Sequence, residues 1–125
     1  MMVQTYRNLE IIIVDDCSAD ESADVLKRLA MEDSRIMVLH NETNLKIVAC
    51  LNKAIDIASG KYIARMDADD ISMPDRIAKQ IAFLEANENI AACGCNYIII
   101  DEVGNKTGKV LFESTPDLLK AELLF

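Results

Sequence analysis

The sequence predicts an α/β fold with a mainly parallel sheet and helices on both of its faces. Short apolar runs rich in Ile and Val alternate with longer segments of helical periodicity, and such alternation with short connections is typical of a doubly wound sheet. The first apolar run is continuous, as expected of a strand covered on both faces. The chain has 125 residues, enough for one core, so we expect residues 1–125 to form a single domain.

The first half of the pattern is strand, helix, strand. Leu9–Val14 is a β-branched apolar run that predicts the first strand. Ser18 and Glu21 follow it with the spacing of a capping box, which predicts a helix from Ala19 to Met31. The next apolar run, Ile36–Leu39, predicts a second strand.

The second half continues the alternation. A helix is predicted over Ile47–Ala58, with Gly60 as its C-terminal cap and Lys61–Met66 as the strand that follows. Ser72 is the expected N-cap of a helix that ends near Asn87. The remaining predicted elements are strands over Ile90–Ile100 and Thr107–Phe112 and a last helix over Pro116–Phe125.

Charge and composition exclude several classes of protein. The formal net charge of −8 disfavours binding to nucleic acid or anionic lipid, because both reward clusters of Lys and Arg. The four cysteines form no C-x-x-C pair, so we interpret them as reduced thiols of a cytoplasmic protein rather than as a zinc site. No apolar stretch is long enough to span a bilayer. Location at the cytoplasmic face of a membrane and assembly into a homo-oligomer are both compatible with the sequence.

Two groups of carboxylates follow predicted strands. Asp15 and Asp16 end the first strand, and Asp67, Asp69 and Asp70 follow the third. Because the carboxyl ends of parallel strands meet at one edge of a sheet, we expect the two groups to converge there. Clustered carboxylates repel each other, and a divalent cation such as Mg²⁺ or Mn²⁺ offsets that repulsion and also binds phosphates. The sequence therefore predicts a nucleotide-phosphate site at this edge.

Several of these segments resemble motifs of family 2 glycosyltransferases. Val14-Asp15-Asp16-Cys17-Ser18-Ala19-Asp20 resembles the V-D-D-x-S-x-D segment of that family. Asn44-Leu45 with Leu51–Ile55, then Gly60-Lys61-Tyr62-Ile63, is similar to its asparagine–glycine loop, helix and G-x-Y-I strand. Asp67-Ala68-Asp69-Asp70 followed by Pro74-Asp75-Arg76 is similar to its D-x-D-D…P-x-R pattern. The resemblance extends over most of residues 4–100.

The resemblance implies a Rossmann-like three-layer α/β/α sandwich of the GT-A type and inverting transfer of a sugar from a nucleotide diphosphate donor. By motif position, Asp15 or Asp16 contacts the nucleobase, expected to be uracil, and Asp67 lies near the ribose or a metal-bound water. Asp69, with Asp67 beside it, is the implied ligand of Mn²⁺ or Mg²⁺. Lys46 stands where the family usually has glycine and either reaches a phosphate or is solvated. The acceptor, a sugar or a lipid-linked sugar, is not identified.

The chain also departs from the family pattern. It starts after the family's first strand, and nothing beyond Asp70 matches the Glu-Asp motif that holds the family's catalytic base. Asp101-Glu102 has the reverse order. We therefore expect a donor-binding domain that is incomplete at both ends, binds donor weakly and transfers no sugar by itself.

Alternatives remain at this point. A receiver domain of a signalling protein also begins with a strand ending in Asp-Asp, and Asp70 followed by Met73-Pro74 would be its phosphorylation site. Asp15 and Asp16 can instead cap the N-terminus of the next helix, where the helix dipole favours an acid. Arg65 and Arg76 can neutralise the second acidic group without any metal.

Overall fold

A computed structural model describes residues 1–112 of the chain. The contacts within the chain divide it into two units, Met1–Ala86 and Asn87–Phe125. The predicted helix Pro116–Phe125 lies outside the described residues, and the single domain expected from the chain length stays a prediction.

The first unit is built on a parallel pair of strands. Strand β1 (Ile11–Asp15) pairs with β2 (Ile36–His40), with Ile11 opposite Ile36 and Asp15 opposite His40. Helix α1 (Ser22–Glu32) contacts β2, and helix α2 (Lys46–Ile57) contacts β1. Helix α3 (Arg76–Ala86) buries Ile77. The predicted α/β class with parallel strands is confirmed. None of the helices within residues 1–112 has the length and apolar character needed to cross a membrane.

The predicted capping box at Ser18 and Glu21 is wrong. Helix α1 begins at Ser22 rather than Ala19, and Glu21 precedes it without a side-chain cap. The backbone N–H of Ser18 donates to Asp15 Oδ1 at 3.1 Å, and that of Ser22 donates to Asp20 Oδ1 at 2.9 Å. Asp15 therefore takes the Ser18 amide that Glu21 was expected to take, and Asp20 takes the first amide of α1, because short Asp side chains bond readily to amides two or three residues on.

The other two predicted caps also differ. Helix α2 ends at Ile57 with Ala58 as its C-cap, so Gly60 lies beyond the cap. Helix α3 begins at Arg76, and the Ser72 hydroxyl accepts a hydrogen bond from Gln4 at 3.2 Å. Ser72 is thus used in a long-range contact, which a local capping signal does not predict.

The predicted strand over Lys61–Met66 is wrong, because these residues form no strand in the structure. A strand exists only through hydrogen bonds to a neighbour. Within residues 1–112 the strands form two sheets of two strands each, neither of which includes this segment, so it has no strand neighbour there.

The second unit contains an antiparallel hairpin. Strand β3 (Tyr97–Ile100) pairs with β4 (Lys106–Val110), with Tyr97 opposite Val110. Gly104, with φ of +86°, allows the left-handed backbone of the turn. Strand β3 is shorter than the predicted Ile90–Ile100, because β4 offers partners only from Tyr97 onward.

Candidate functional site

Asp15 anchors the carboxyl end of β1. Its side chain is 2% exposed, and its Oδ2 lies 2.6 Å from His40 Nδ1 on β2. Its Oδ1 accepts the Ser18 N–H. Hydrogen bonding from Ser18, opposed by burial and reinforced by His40, holds the pKa of Asp15 below its ordinary value. Both oxygens of this carboxylate are therefore engaged within the protein.

Asp16 caps helix α2 from a different element. Its Oδ1 accepts the backbone N–H of Leu45 at 2.7 Å and the amide of Asn41 at 2.9 Å, and its Oδ2 accepts the N–H of Lys46 at 2.8 Å. Led by the bonds from Leu45 and Asn41, these contacts lower the pKa of Asp16 to about 2. Asp16 thus caps a helix, but that helix is α2 and not the next one along the chain, so the interpretation is wrong about which helix is capped.

Asn41 links this carboxylate to α2, and sequence analysis missed it. The residue is 3% exposed. Its amide nitrogen also donates to Cys50 Sγ at 3.3 Å, and its Oδ1 accepts from Lys53 Nζ at 2.6 Å. The sequence carried one usable signal: Asn41 directly follows β2, at the edge where the site was expected. The network fixes the start of α2 against the end of β1.

Two residues beside Asp16 adopt left-handed backbone conformations. Cys17 has φ of +63° and Lys46 has φ of +69°. Such values are costly for residues with a Cβ, which gives a physical reason for the glycine that the family usually has at the position of Lys46. Among residues 1–112, no side chain forms an ion pair with the Lys46 ammonium.

The second acidic group lies on a closed loop, residues 65–76, which we call the acidic loop. Arg76 Nη2 donates to the backbone carbonyl of Arg65 at 3.0 Å and so joins the two ends. Arg65 forms an ion pair with Asp67, whose side chain is 43% exposed. The N–H of Asp70 bonds to the carbonyl of Asp67 at 3.2 Å.

Asp69 and Asp70 are the acids of this loop whose carboxylates have no partner among residues 1–112. Both residues are exposed, and within residues 1–112 neither carboxylate takes part in a hydrogen bond or ion pair. Arg76 donates to a carbonyl and to Gln80 rather than to an acid. Of Asp67, Asp69 and Asp70, only Asp67 is therefore neutralised by an arginine.

The predicted convergence of the two acidic groups stays a prediction. In the described part of the chain, no hydrogen bond or ion pair joins Asp15 or Asp16 to the acidic loop. Within the same residues, no three His, Cys, Asp or Glu side chains are grouped so that they could hold a metal by themselves.

Gln4 is a second residue that sequence analysis missed. Its side chain is fully buried and bonds to Ser72, Met73 and Ile77, which lie 68 to 73 residues away. No local pattern carries a signal for contacts at that separation.

Comparison with known proteins agrees with the motifs. Glycosyl transferase family 2 matches residues 2–122 of this chain. An uncharacterized glycosyltransferase of Haemophilus influenzae is 44% identical over 99 residues, which cover 79% of this chain and 31% of the relative. One of Methanocaldococcus jannaschii is 39% identical over 118 residues, 94% of this chain and 39% of the relative.

A relative with a specific name is the UDP-Glc:alpha-D-GlcNAc-diphosphoundecaprenol beta-1,3-glucosyltransferase WfaP of Escherichia coli. It is 37% identical over 115 residues, 92% of this chain and 43% of the relative. The chain thus spans less than half the length of these relatives. The parallel β1–β2 pair with its helices fits a fragment of the Rossmann-like GT-A fold. The extent of the match and the level of identity establish that the chain belongs to glycosyl transferase family 2.

Proposed function

We propose that this chain is the donor-binding part of a glycosyltransferase and that it binds a UDP-sugar together with Mn²⁺ or Mg²⁺ for inverting transfer. The observation that carries the proposal is the free, exposed carboxylate of Asp69 on a loop whose two ends are joined by Arg76. The name of the Escherichia coli relative gives UDP-Glc as that enzyme's donor, which favours a uridine nucleotide here. A role in polysaccharide biosynthesis is in keeping with the teichuronic acid pathway named for a Bacillus subtilis relative.

Asp69 and Asp67 fit the ligand set of a hard cation. Mg²⁺ and Mn²⁺ prefer oxygen ligands, and Mg²⁺ commonly takes one or two carboxylates and completes its shell with water and substrate phosphates. A pair of acids therefore suffices without a third protein ligand. Asp69 is the principal ligand because Asp67 shares an oxygen with Arg65. The bound cation supplies neutralisation of the charge on the leaving diphosphate.

Asp16, rather than Asp15, is the acid that contacts the nucleobase. Both oxygens of Asp15 are bonded and its side chain is 2% exposed, so it has little capacity for a ligand. Asp16 Oδ2 accepts one bond, from Lys46, and a carboxylate oxygen can accept two. The remaining position accepts the N3–H of uracil, while the Lys46 ammonium reaches a phosphate.

Donor binding without sugar transfer is the expected activity of the 125-residue chain. The chain holds no Glu-Asp motif beyond Asp70. Asp101, the nearest substitute, accepts the N–H groups of Val103 and Asn105 inside the hairpin turn. A carboxylate used in a turn is a poor candidate for a catalytic base, because a base must lie within hydrogen-bond reach of the acceptor's proton.

Thermal denaturation of the whole chain with UDP tests the proposal. Ligands that bind the folded state raise the melting temperature by mass action. We expect UDP to raise it in the presence of Mn²⁺ and not in EDTA, and CDP and GDP to raise it less. An equal rise in EDTA would contradict the proposed role of the metal. No rise with any nucleotide would contradict the proposed donor site.

The same assay addresses the receiver alternative. Beryllium fluoride with Mg²⁺ mimics a phosphorylated aspartate and would stabilise a receiver domain through Asp70. The family match does not favour that function, so we expect the fluoride to leave the melting temperature unchanged.

A further inference from the structure

Gln4 connects the N-terminal segment to the C-terminal end of the acidic loop and the start of α3. Its Nε2 donates to the carbonyl of Met73 at 2.7 Å and to the hydroxyl of Ser72 at 3.2 Å. Its Oε1 accepts the N–H of Ile77 at 3.1 Å. The backbone N–H of the following residue, Thr5, donates to the carbonyl of Pro74 at 2.7 Å.

These contacts use both ends of one amide, which few side chains can do. Ile77 lies in the first turn of α3, where backbone N–H groups have no partner inside the helix. The Met73 carbonyl belongs to the loop and also accepts the Arg76 N–H at 3.0 Å, so Gln4 supplies its second hydrogen bond. A side-chain amide offers one acceptor oxygen, used here by the Ile77 N–H, and two N–H donors, used here by Met73 and Ser72. A fully buried polar side chain with all of these bonds made is a rigid support.

The same loop is held on its other side by Arg76, which bonds to the carbonyl of Arg65. The backbone of the acidic loop is thus fixed before Asp67 and after Ile71, while the stretch that carries Asp69 lies between the fixed points. A cation ligand must be held close to its binding geometry, and the groups that hold it affect affinity almost as much as the ligand does.

We propose that Gln4 is a positioning residue that holds the acidic loop so that Asp69 can bind the cation, without itself touching the ion or the nucleotide. This inference rests on the proposed function, because it assigns to Gln4 a part in the same donor site. The effect is transmitted through Ser72 and Met73 and is independent of Asp16, which is held by Asn41 and α2.

The test compares Gln4→Met with Arg35→Met by counting free Mn²⁺ with electron paramagnetic resonance in the presence of UDP. Arg35 is a matched control, because it pins the same N-terminal segment through the carbonyls of Met2 and Arg7 at 3.1 and 3.3 Å. Within residues 1–112 it makes no hydrogen bond to the acidic loop. Both variants are measured at a temperature where circular dichroism finds them folded.

We expect Gln4→Met to weaken Mn²⁺ binding about 10-fold or more, the range found when groups that support metal ligands are removed. Arg35→Met is expected to lower the melting temperature and leave Mn²⁺ affinity within about twofold, below the effect of losing such a support. Affinity for uridine, which lacks the diphosphate, should be equal in wild type and Gln4→Met. A purely structural role of Gln4 would weaken uridine and Mn²⁺ binding together.

Two outcomes overturn the inference and are distinguishable from failure of the proposed function. If folded Gln4→Met binds Mn²⁺ and UDP as the wild type does, Gln4 has no positioning role although the donor site stands. If the wild type itself does not bind Mn²⁺ with UDP, the proposed function fails. Should Gln4→Met not fold, Gln4→Asn replaces it: the shorter amide keeps the chemistry but cannot reach all three partners. Wild-type Mn²⁺ affinity in Gln4→Asn would equally overturn the inference.

Discussion

The two acidic groups of this chain resemble each other in sequence and differ in their use. At the end of β1, Asp15 and Asp16 accept hydrogen bonds from the backbone and from His40 and Asn41. In the acidic loop, Asp69 and Asp70 are exposed, without a hydrogen-bond partner among residues 1–112. The first pair is bonded within the protein except for one acceptor position on Asp16 Oδ2, whereas both carboxylates of the second pair are fully available to a ligand.

This difference separates carboxylates that mainly stabilise the fold from carboxylates that are free to bind a ligand. An acid that accepts two or three N–H bonds stays ionised and fixed, so removing it disturbs the structure. An exposed acid without such bonds contributes little to folding, so removing it should change binding alone. The predictions below test this division, starting with the largest effect on stability.

The largest loss of stability is expected for Asp15→Ala. The change removes the hydrogen bonds that the buried Asp15 carboxylate accepts from the Ser18 N–H and the His40 ring. Loss of hydrogen bonds to a buried charged group costs about 2–3 kcal/mol, which urea denaturation measures as a lower midpoint with an unchanged slope. Asp24→Ala is the control, because the exposed ion pair of Asp24 with Lys27 should contribute close to nothing. Equal losses in the two variants would contradict the division.

A smaller effect, on the pH dependence of the melting temperature, is expected for Asp16→Asn. Its pKa is lowered from 3.8 to about 2 by the amides that it caps. A depressed folded-state pKa means that the ionised form stabilises the fold, so this contribution is complete above about pH 4 and is lost as pH falls toward 2. Melting temperature as a function of pH should therefore fall less steeply between pH 4 and 2 in Asp16→Asn than in the wild type. Parallel profiles would mean that the cap contributes nothing.

The smallest effect is expected at Lys46, and it is a gain in stability. Lys46→Gly keeps the φ of +69° but removes the Cβ that makes it costly. That relief, minus the extra backbone entropy of glycine, leaves about 1 kcal/mol of stabilisation. Lys46→Ala removes the same ammonium but keeps the Cβ, so it should bring no gain. The melting temperatures of the two variants give the comparison. If both rise equally, the gain comes from charge and not from backbone conformation.

Much of the first unit follows from the sequence because its signals are local. The continuous apolar runs located β1 and β2, and periodicity located α1, α2 and α3 to within a few residues. The strand predicted over Lys61–Met66 failed because an apolar run describes a segment's preference, whereas a strand also requires a neighbour to bond with. Ser18 does not cap α1, because the helix begins at Ser22 and the Ser18 N–H bonds to Asp15.

The candidate site was predictable only in part, for the same reason. Motif and position indicated Asp15, Asp16, Lys46, Asp67 and Asp69 as candidates, and their roles stay predictions. Their hydrogen bonding was not indicated, because the sequence does not tell a carboxylate that accepts three bonds from one that accepts none. Asn41 and Gln4 were missed, since their partners lie on other elements.

The most direct test of the division is Mn²⁺-dependent binding of UDP, measured by calorimetry, in Asp69→Asn and Asp56→Asn. Both changes remove one exposed carboxylate, and Asp56 lies on α2, away from either acidic group in sequence. We predict that Asp69→Asn lowers the Mn²⁺-dependent affinity about 100-fold or more, the upper end of what loss of a supporting group costs. Asp56→Asn should bind as the wild type does, with both variants keeping the wild-type melting temperature. Equal affinities in the two variants would contradict the assignment of the acidic loop as the cation site.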